Sequence, residues 1–351
     1  MDLSFTGFIN NFISNPTFIV ITVLLLCVVL VNGWTDAPNA IATCVSTKSL
    51  SPKKAILLAA VFNFLGVLIM TLISSTVAQT IYNLVDFGNN YSSSLIALCA
   101  GLFAIVVWAV LAWIFGIPTS ESHALIAGVS GAAIALQHSF SALNGNAWLK
   151  IFLGLVFSTA FGFSLGYVLT KVIEQIFKPF DRRKTTPFFK TTQIVSSMAM
   201  AFMHGAQDGQ KFIGIFLMAL FLSKGTMSPD IITIPIWLSI LISLTMTLGT
   251  SIGGYRIIKT VGLKMTKLEP YKGTAADLAS ATTLLISSVS GMPVSTTHTK
   301  TTAIMGVGAS KRWSNVRWDI VKNMFLAWFL TFPGCGLLGY LVTKLFIHFF
   351  A

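Results

Sequence analysis

Apolar stretches follow one another along the chain, and the polar interruptions between them form a pattern of their own. Residues 18–31, 55–81, 94–115, 124–136 and 148–173 are apolar in the first half. Residues 192–203, 212–222, 234–252, 275–290, 299–308 and 320–346 are apolar in the second. Such stretches predict membrane-crossing α-helices, each needing about 20 apolar residues. The stretch 18–31 is too short by that measure. It runs into the polar Asn32-Gly-Trp-Thr-Asp-Ala-Pro-Asn39, after which apolar sequence resumes. His204-Gly-Ala-Gln-Asp-Gly-Gln-Lys211 interrupts 192–222 in the same way. Both predict a helix broken at mid-depth. Residues 116–123 and 291–298 carry Pro, Ser, Thr and His, and predict the tips of two re-entrant hairpin loops. Backbone freed from helical bonding is tolerated in a bilayer only where it lines a cavity.

The interruptions come in matched pairs. Asp36 and Asp208 are 172 residues apart, and Pro118–Pro293 and His123–His298 are each 175 apart. Residues 1–173 and 191–351 therefore read as two repeats, joined by the short basic linker 174–190. Paired interrupted segments in two halves point to a transporter binding site. The basic residues give an orientation. With the N-terminus outside, Lys48, Lys53 and Lys54 and the groups in 171–190, 256–272 and 311–322 fall inside. Only Lys150, Lys224 and Lys344 fall outside. That assignment puts both termini outside the cell and the linker in the cytoplasm, and it inverts one half relative to the other. The fold expected is an all-α polytopic membrane protein of two inverted-topology repeats, with broken helices and two re-entrant hairpins.

Composition narrows the function. The chain of 351 residues is 54% hydrophobic and 10% charged, against about 25% charged in soluble domains. Soluble enzymes, nucleic-acid binders and disordered chains are excluded, and the net charge of +12 reads as loop charge on the cytosolic side. Cys27, Cys44, Cys99 and Cys335 lie in apolar stretches without metal-ligand spacing and read as small buried hydrophobes. Residues 1–16 contain Asp2 but no Lys or Arg, so the first apolar stretch reads as a retained helix and not a cleaved signal. Residues 255–272 are basic and amphipathic, as in an interfacial segment.

Six charged residues remain at membrane depth: Asp36, Glu121, Asp208, Lys211, Asp277 and Lys300. Intramembrane charges mark a pathway or a pair. Asn32, Thr35 and Asp36 offer oxygen ligands beside freed carbonyls, as do Gln207 and Asp208, and such sets suit Na⁺. The alternative for this motif is helix capping by Thr35 or Asp36. Thr119, Ser120 and Ser122, with Ser295, Thr296 and Thr297, put hydroxyls where a loop opens a helix, an arrangement that suits a tetrahedral oxyanion. Asn39 and Gln210 flank these groups as further contacts to the anion. His123 and His298 read as positioning groups, ligands or proton carriers. Asp277 reads as a first-turn acid, and Lys211 and Lys300 as snorkelling or pathway charges. Glu121 breaks the symmetry of the two loops. It needs a proton or a partner beside an anion, and Lys300 is the candidate partner.

The motifs Asn32-Gly-x-x-Asp36-x-x-Asn39, Gly205-x-x-Asp208 and Pro293-Val-Ser-Thr-Thr-His298 resemble those of the inorganic phosphate transporter family. Gly306-Val-Gly308 and Trp328-x-x-Thr331-x-Pro333 fit it as well. The likeness runs from about Asn32 to Pro333. It implies a secondary transporter in the cell membrane, with inverted repeats and usually dimeric, importing phosphate with Na⁺ or H⁺ and using no cofactor. Thr35 and Gln207 depart from the family's usual Asn before the motif aspartate, and Glu121 stands where the second loop has Thr296. Sulfate on the same scaffold is the competing substrate. An intramembrane hydrolase using Ser120–His123 or Ser295–His298, or a channel, fits the duplicated motifs less well.

Overall fold

The computed structural model describes residues 3–115, 119–226, 233–253, 258 and 265–351. The described residues form α1 (Phe5–Ser14), α2 (Pro16–Thr35), α3 (Ala37–Ser46), α4 (Pro52–Ile73), α5 (Thr76–Tyr82), α6 (Tyr91–Phe115) and α7 (Glu121–Gln137). The rest form α8 (Gly145–Ile176), α9 (Arg182–Ser223), α10 (Ile236–Ile252), α11 (Pro270–Val289), α12 (Thr296–Ala309) and α13 (Trp318–Phe350). Among these residues there is no strand beyond an isolated bridge between Val85 and Leu143.

Pro16–Ser46, Pro52–Ile73, Tyr91–Phe115, Gly145–Phe177 and Trp318–Phe350 are long and apolar enough to cross a membrane. α7, α9, α11 and α12, which carry the other polar motifs, are not among them. Their polar segments are shielded by neighbouring helices, whereas Leu278, Leu285 and Val289 of α11 are exposed. Every residue from 203 to 222 in α9 and from 293 to 310 around α12 is buried. In α7, residues 120–133 are buried as well.

Close crossings hold this interior together. α2 packs on α10, α4 on α9, α7 on α13 and α12 on α8. Glycines set the spacing. A Cβ at Gly205 would collide with the Asn63 backbone carbonyl, and one at Gly66 with that of Phe202. Small residues at such positions let helix backbones approach in the membrane, where packing replaces the hydrophobic drive.

The two expected helix breaks turn out differently. At the first, α2 ends at Thr35 and α3 begins at Ala37, with Asp36 between them near helical dihedrals (φ −99°, ψ −40°). Pro38 lacks the N–H that would bond the Trp34 carbonyl, so the helix kinks and the chain continues in the same direction. The second break is absent. α9 runs unbroken for 42 residues through His204–Lys211, a length of about 63 Å at 1.5 Å per residue. Its polar motif has no proline, and its side chains find partners across helix faces, so the backbone stays helical.

Other expectations are corrected in detail. The stretch 55–81 divides at Ser74 and Ser75 into α4 and α5. Cys27 is exposed, whereas Cys44, Cys99 and Cys335 are buried. Residues 174–176 extend α8 and 182–190 start α9, so only 177–181 connect the halves. Pro118 and most of 255–264 lie outside the described residues.

Two ends of the molecule can be told apart. At one, the Thr47 hydroxyl donates to Gln193 (3.2 Å). A cavity of about 570 Å³ there is lined by Lys171, Lys178, Arg182, Glu269, Tyr271 and Lys311, among others. At the other, Lys344 Nζ meets His138 (2.9 Å), and the Asp86 N–H donates to the Ala142 carbonyl (2.8 Å).

Candidate functional site

The two loop tips touch. Ser120 Oγ donates to Ser295 Oγ at 2.8 Å, so residues 175 apart in sequence meet at the centre of the protein. Each serine also caps its helix. Ser120 Oγ accepts from the His123 N–H (3.3 Å) and Ser295 Oγ from the His298 N–H (3.2 Å). α7 and α12 thus start at a shared point and run apart. Each brings first-turn N–H groups without intrahelical acceptors and the positive end of its dipole.

Around this point gather Ser120, Ser122, Ser295, Thr296 and Thr297, all buried. Thr119 is half-buried one residue before the cap. Lys211 reaches in from α9. Its Nζ donates to Ser122 Oγ (2.6 Å), to the Val294 carbonyl (2.5 Å) and to Asp208 Oδ1 (2.6 Å). One buried ammonium thus touches both tips. The snorkelling reading of Lys211 is overturned, since its side chain is 1% exposed.

The two aspartates are not equivalent. Asp208 accepts from Lys211, from Asn32 Nδ2 (3.2 Å), from Thr296 (3.3 Å) and, at the limit, from Ser122 (3.5 Å). His204 Nε2 lies 3.2 Å away, while His204 Nδ1 faces Asn63 Oδ1 at 3.0 Å. Asp36 has fewer donors. Its Oδ1 accepts from Asn39 Nδ2 (3.1 Å) and from the Thr297 hydroxyl, and its Oδ2 has no partner. The capping alternative for Asp36 fails, because its side chain makes no cap bond to α3. Asp36, His204 and Asp208 offer ligand atoms within 4.8 Å of one another.

Buried acceptor oxygens without donors recur in the motif residues: Asn32 Oδ1, Asp36 Oδ2, Asn39 Oδ1, Glu121 Oε2, Gln207 Oε1 and Gln210 Oε1. An unsatisfied buried acceptor is costly, and a cation satisfies several at once. The amide nitrogens are already committed. Asn39 Nδ2 also reaches Thr297 (2.9 Å), Gln207 donates to Ser288 and the Met292 carbonyl (3.2 Å each), and Gln210 donates to the Ser74 carbonyl (2.7 Å). Thr35 donates to Val31 (2.8 Å) and, weakly, to Glu121 Oε1 (3.4 Å).

Two expectations change. Lys300 does not pair with Glu121. It pairs with Asp277, on the linker side of the tips. Asp277 is eight residues into α11 and fully buried, so it is not a first-turn acid. His123 and His298 stand edge-to-face at 4.3 Å, with His298 stacked on Trp328 (3.6 Å). Both line an apolar cavity of about 1190 Å³ beside α13. Their rings brace α7 against α12 behind the tips. Asn63 had no role in the sequence reading, although a lone Asn inside the apolar stretch 55–81 was the available signal.

Comparisons with known proteins give the family. Residues 32–339 match the model of the phosphate transporter family. A Bacillus subtilis (strain 168) protein named "Probable low-affinity inorganic phosphate transporter" is 40% identical, over 92% of this chain and 94% of its own. One of the same name from Rhizobium meliloti (strain 1021) is 38% identical, over 88% and 90%. A solved structure, "The sodium-dependent phosphate transporter", superposes with a TM-score of 0.86 at 22% identity, covering 95% of this chain and all of that one. The sulfate reading gains nothing from these relatives, and the hydrolase reading falls. The chain is an integral membrane protein that belongs to the phosphate transporter family.

Proposed function

We propose that the protein is a Na⁺-coupled phosphate symporter that binds its anion between the tips of α7 and α12. The observation that carries this is the contact of Ser120 with Ser295, under the ammonium of Lys211. Five hydroxyls, the first-turn N–H groups of two helices and one lysine converge where the starts of α7 and α12 meet. Together they give a tetrahedral oxyanion donors from several directions. Asp36 takes the cation, with the free oxygens of Asn32 and Asn39 beside it and those of Gln207 and Gln210 on α9. Asp208 is already neutralised by Lys211, so it orients that lysine toward phosphate and does not hold a Na⁺ of its own. The sodium-dependent structural neighbour supports Na⁺ as the coupling ion.

The two halves act as inverted repeats. Their reciprocal packing supports this: α2 meets α10 as α9 meets α4, and α7 meets α13 as α12 meets α8. Gly131 and Gly306, 175 apart, each face a partner backbone at the matching crossing. The basic end with residues 177–181 is then cytoplasmic. The test is uptake of radiolabelled phosphate into proteoliposomes under an imposed Na⁺ gradient and, separately, an H⁺ gradient. The Na⁺ gradient should drive accumulation, and excess sulfate should not reduce it. Accumulation driven by the H⁺ gradient alone would refute Na⁺ coupling.

A further inference from the structure

Near-constant spacing between the halves allows the two sides of the site to be compared position by position. Between the tips and the linker end lie Thr43, Gln193, Ser196, Ser197, Asp277 and Lys300, all buried. The positions that correspond to them, by the offsets of 172 and 175 set by the site residues, are Ile215, Ile21, Leu24, Leu25, Leu102 and Leu125. These lie between the tips and the opposite end. Five of them belong to one buried apolar cluster, and Leu24 packs against it. The same six places are thus polar on one side of the site and apolar on the other.

The polar set is fully connected. The Asp277 carboxylate accepts from Lys300, from the hydroxyls of Thr43 (2.7 Å), Ser197 (2.7 Å) and Ser196 (3.4 Å), and from Gln193 Nε2 (3.2 Å). Lys300 Nζ also donates to Thr43 Oγ1 (3.2 Å). Asp277 and Lys300 both sit on the α11–α12 hairpin, whereas every other donor comes from α3 or α9. The bonds therefore cross the surface along which the hairpin would separate from α3 and α9. Parting that surface exchanges protein hydrogen bonds for bonds to water, at small net cost. Parting the apolar set exposes hydrocarbon to water with nothing to replace what is lost.

We propose that the Asp277–Lys300 cluster is the release-side seal of the transport path and a transient second site for the departing phosphate. The inference rests on the reading of the tips given above. When the hairpin parts from α3 and α9, the Asp277 carboxylate loses the donors Thr43, Gln193, Ser196 and Ser197, and the Asp277–Lys300 pair, which moves as one, faces the opened path. Lys300 then meets the departing anion, and Asp277 the cation that travels with it. Charge stays balanced, because one ion pair gathers one anion and one cation. α12 joins the two sites directly, since Lys300 lies three residues, about one turn, beyond Thr297.

The test separates this role from simple packing. Lys300→Met alone strands a buried carboxylate and can fail to fold, so the decisive protein is the double variant Asp277→Asn/Lys300→Met, whose cluster is neutral. Its equilibrium phosphate binding should stay within about twofold of wild type, while its uptake turnover falls by about tenfold or more, a loss in kcat without a matching loss in ground-state binding. Lys300→Arg, which keeps the charge, should recover most of the turnover. Wild-type turnover in the double variant would make the pair a packing element and overturn the proposal. Loss of phosphate binding in that folded variant would overturn it too, by assigning the pair to the primary site. Failure of the underlying reading shows separately, as wild-type protein that binds no phosphate or as Ser120→Ala and Ser295→Ala variants with unaltered binding.

Discussion

Asp36 and Asp208 occupy matched positions in the sequence, yet their conversion to Asn should fail in different ways. Asp208 faces the buried ammonium of Lys211 at 2.6 Å and accepts from Asn32 and Thr296 as well. Removing its charge leaves that ammonium uncompensated in the interior, a change that costs about 3–5 kcal/mol. Asp36 has no cation partner among the described residues, and its Oδ2 has no donor. An Asn there still accepts from Thr297 and Asn39 through Oδ1, so the cost in stability should stay near the typical ~1 kcal/mol of a point change. The assay is thermal unfolding of purified protein in detergent, with and without Na⁺, alongside uptake in proteoliposomes. Asp208→Asn should lower the unfolding temperature strongly, and Lys211→Met added to it should restore the temperature but not transport. Asp36→Asn should unfold near the wild-type temperature, show no stabilisation by Na⁺, and lose Na⁺-driven uptake. Equal destabilisation by the two single variants would show that Lys211 does not depend on Asp208, and a full Na⁺ response in folded Asp36→Asn would remove Asp36 from the cation site.

Three further outcomes are expected. Ser120→Ala and Ser295→Ala should each raise the half-saturation constant for phosphate uptake about 10- to 150-fold, the range for losing a hydrogen bond to a charged group, about 1.5–3 kcal/mol. Glu121→Gln should keep phosphate affinity, because the amide oxygen still accepts from Thr35, but flatten the response of uptake to pH; an unchanged pH profile would assign Glu121 a packing role. Gly205→Ala should destabilise the protein by about 1–3 kcal/mol through overpacking against Asn63, read as a lower unfolding temperature.

The sequence carried the pairing of motifs well and their geometry less well. Offsets of 172 and 175 residues anticipated that Ser120 and Ser295 act together, and in the structure they touch. The break foreseen at 204–211 failed because polarity was taken as a sign of irregular backbone. A polar segment stays helical when neighbouring segments supply partners, as Asn63, Asn32 and the Val294 carbonyl in the loop before α12 do for His204, Asp208 and Lys211. Partner choice was the hardest thing to read. Lys300 stands just after the loop opposite Glu121 in sequence, yet α12 turns its side chain toward α11 and Asp277. Side-chain direction on a helix depends on rotation about its axis, which tertiary packing fixes and sequence spacing does not.

In the proposed mechanism phosphate and Na⁺ share one site, with the anion at the tips of α7 and α12 and the cation at Asp36. Linkage then requires each ligand to tighten the other by the same factor. The most direct measurement is equilibrium binding of radiolabelled phosphate to the purified protein across a range of Na⁺ concentrations at constant ionic strength, in wild type and in Asp36→Asn. Wild-type affinity should rise with Na⁺, and the Asp36→Asn affinity should be flat. A wild-type affinity that ignores Na⁺, or an Asp36→Asn variant that follows it as wild type does, would separate the two ligands and rule out a shared site.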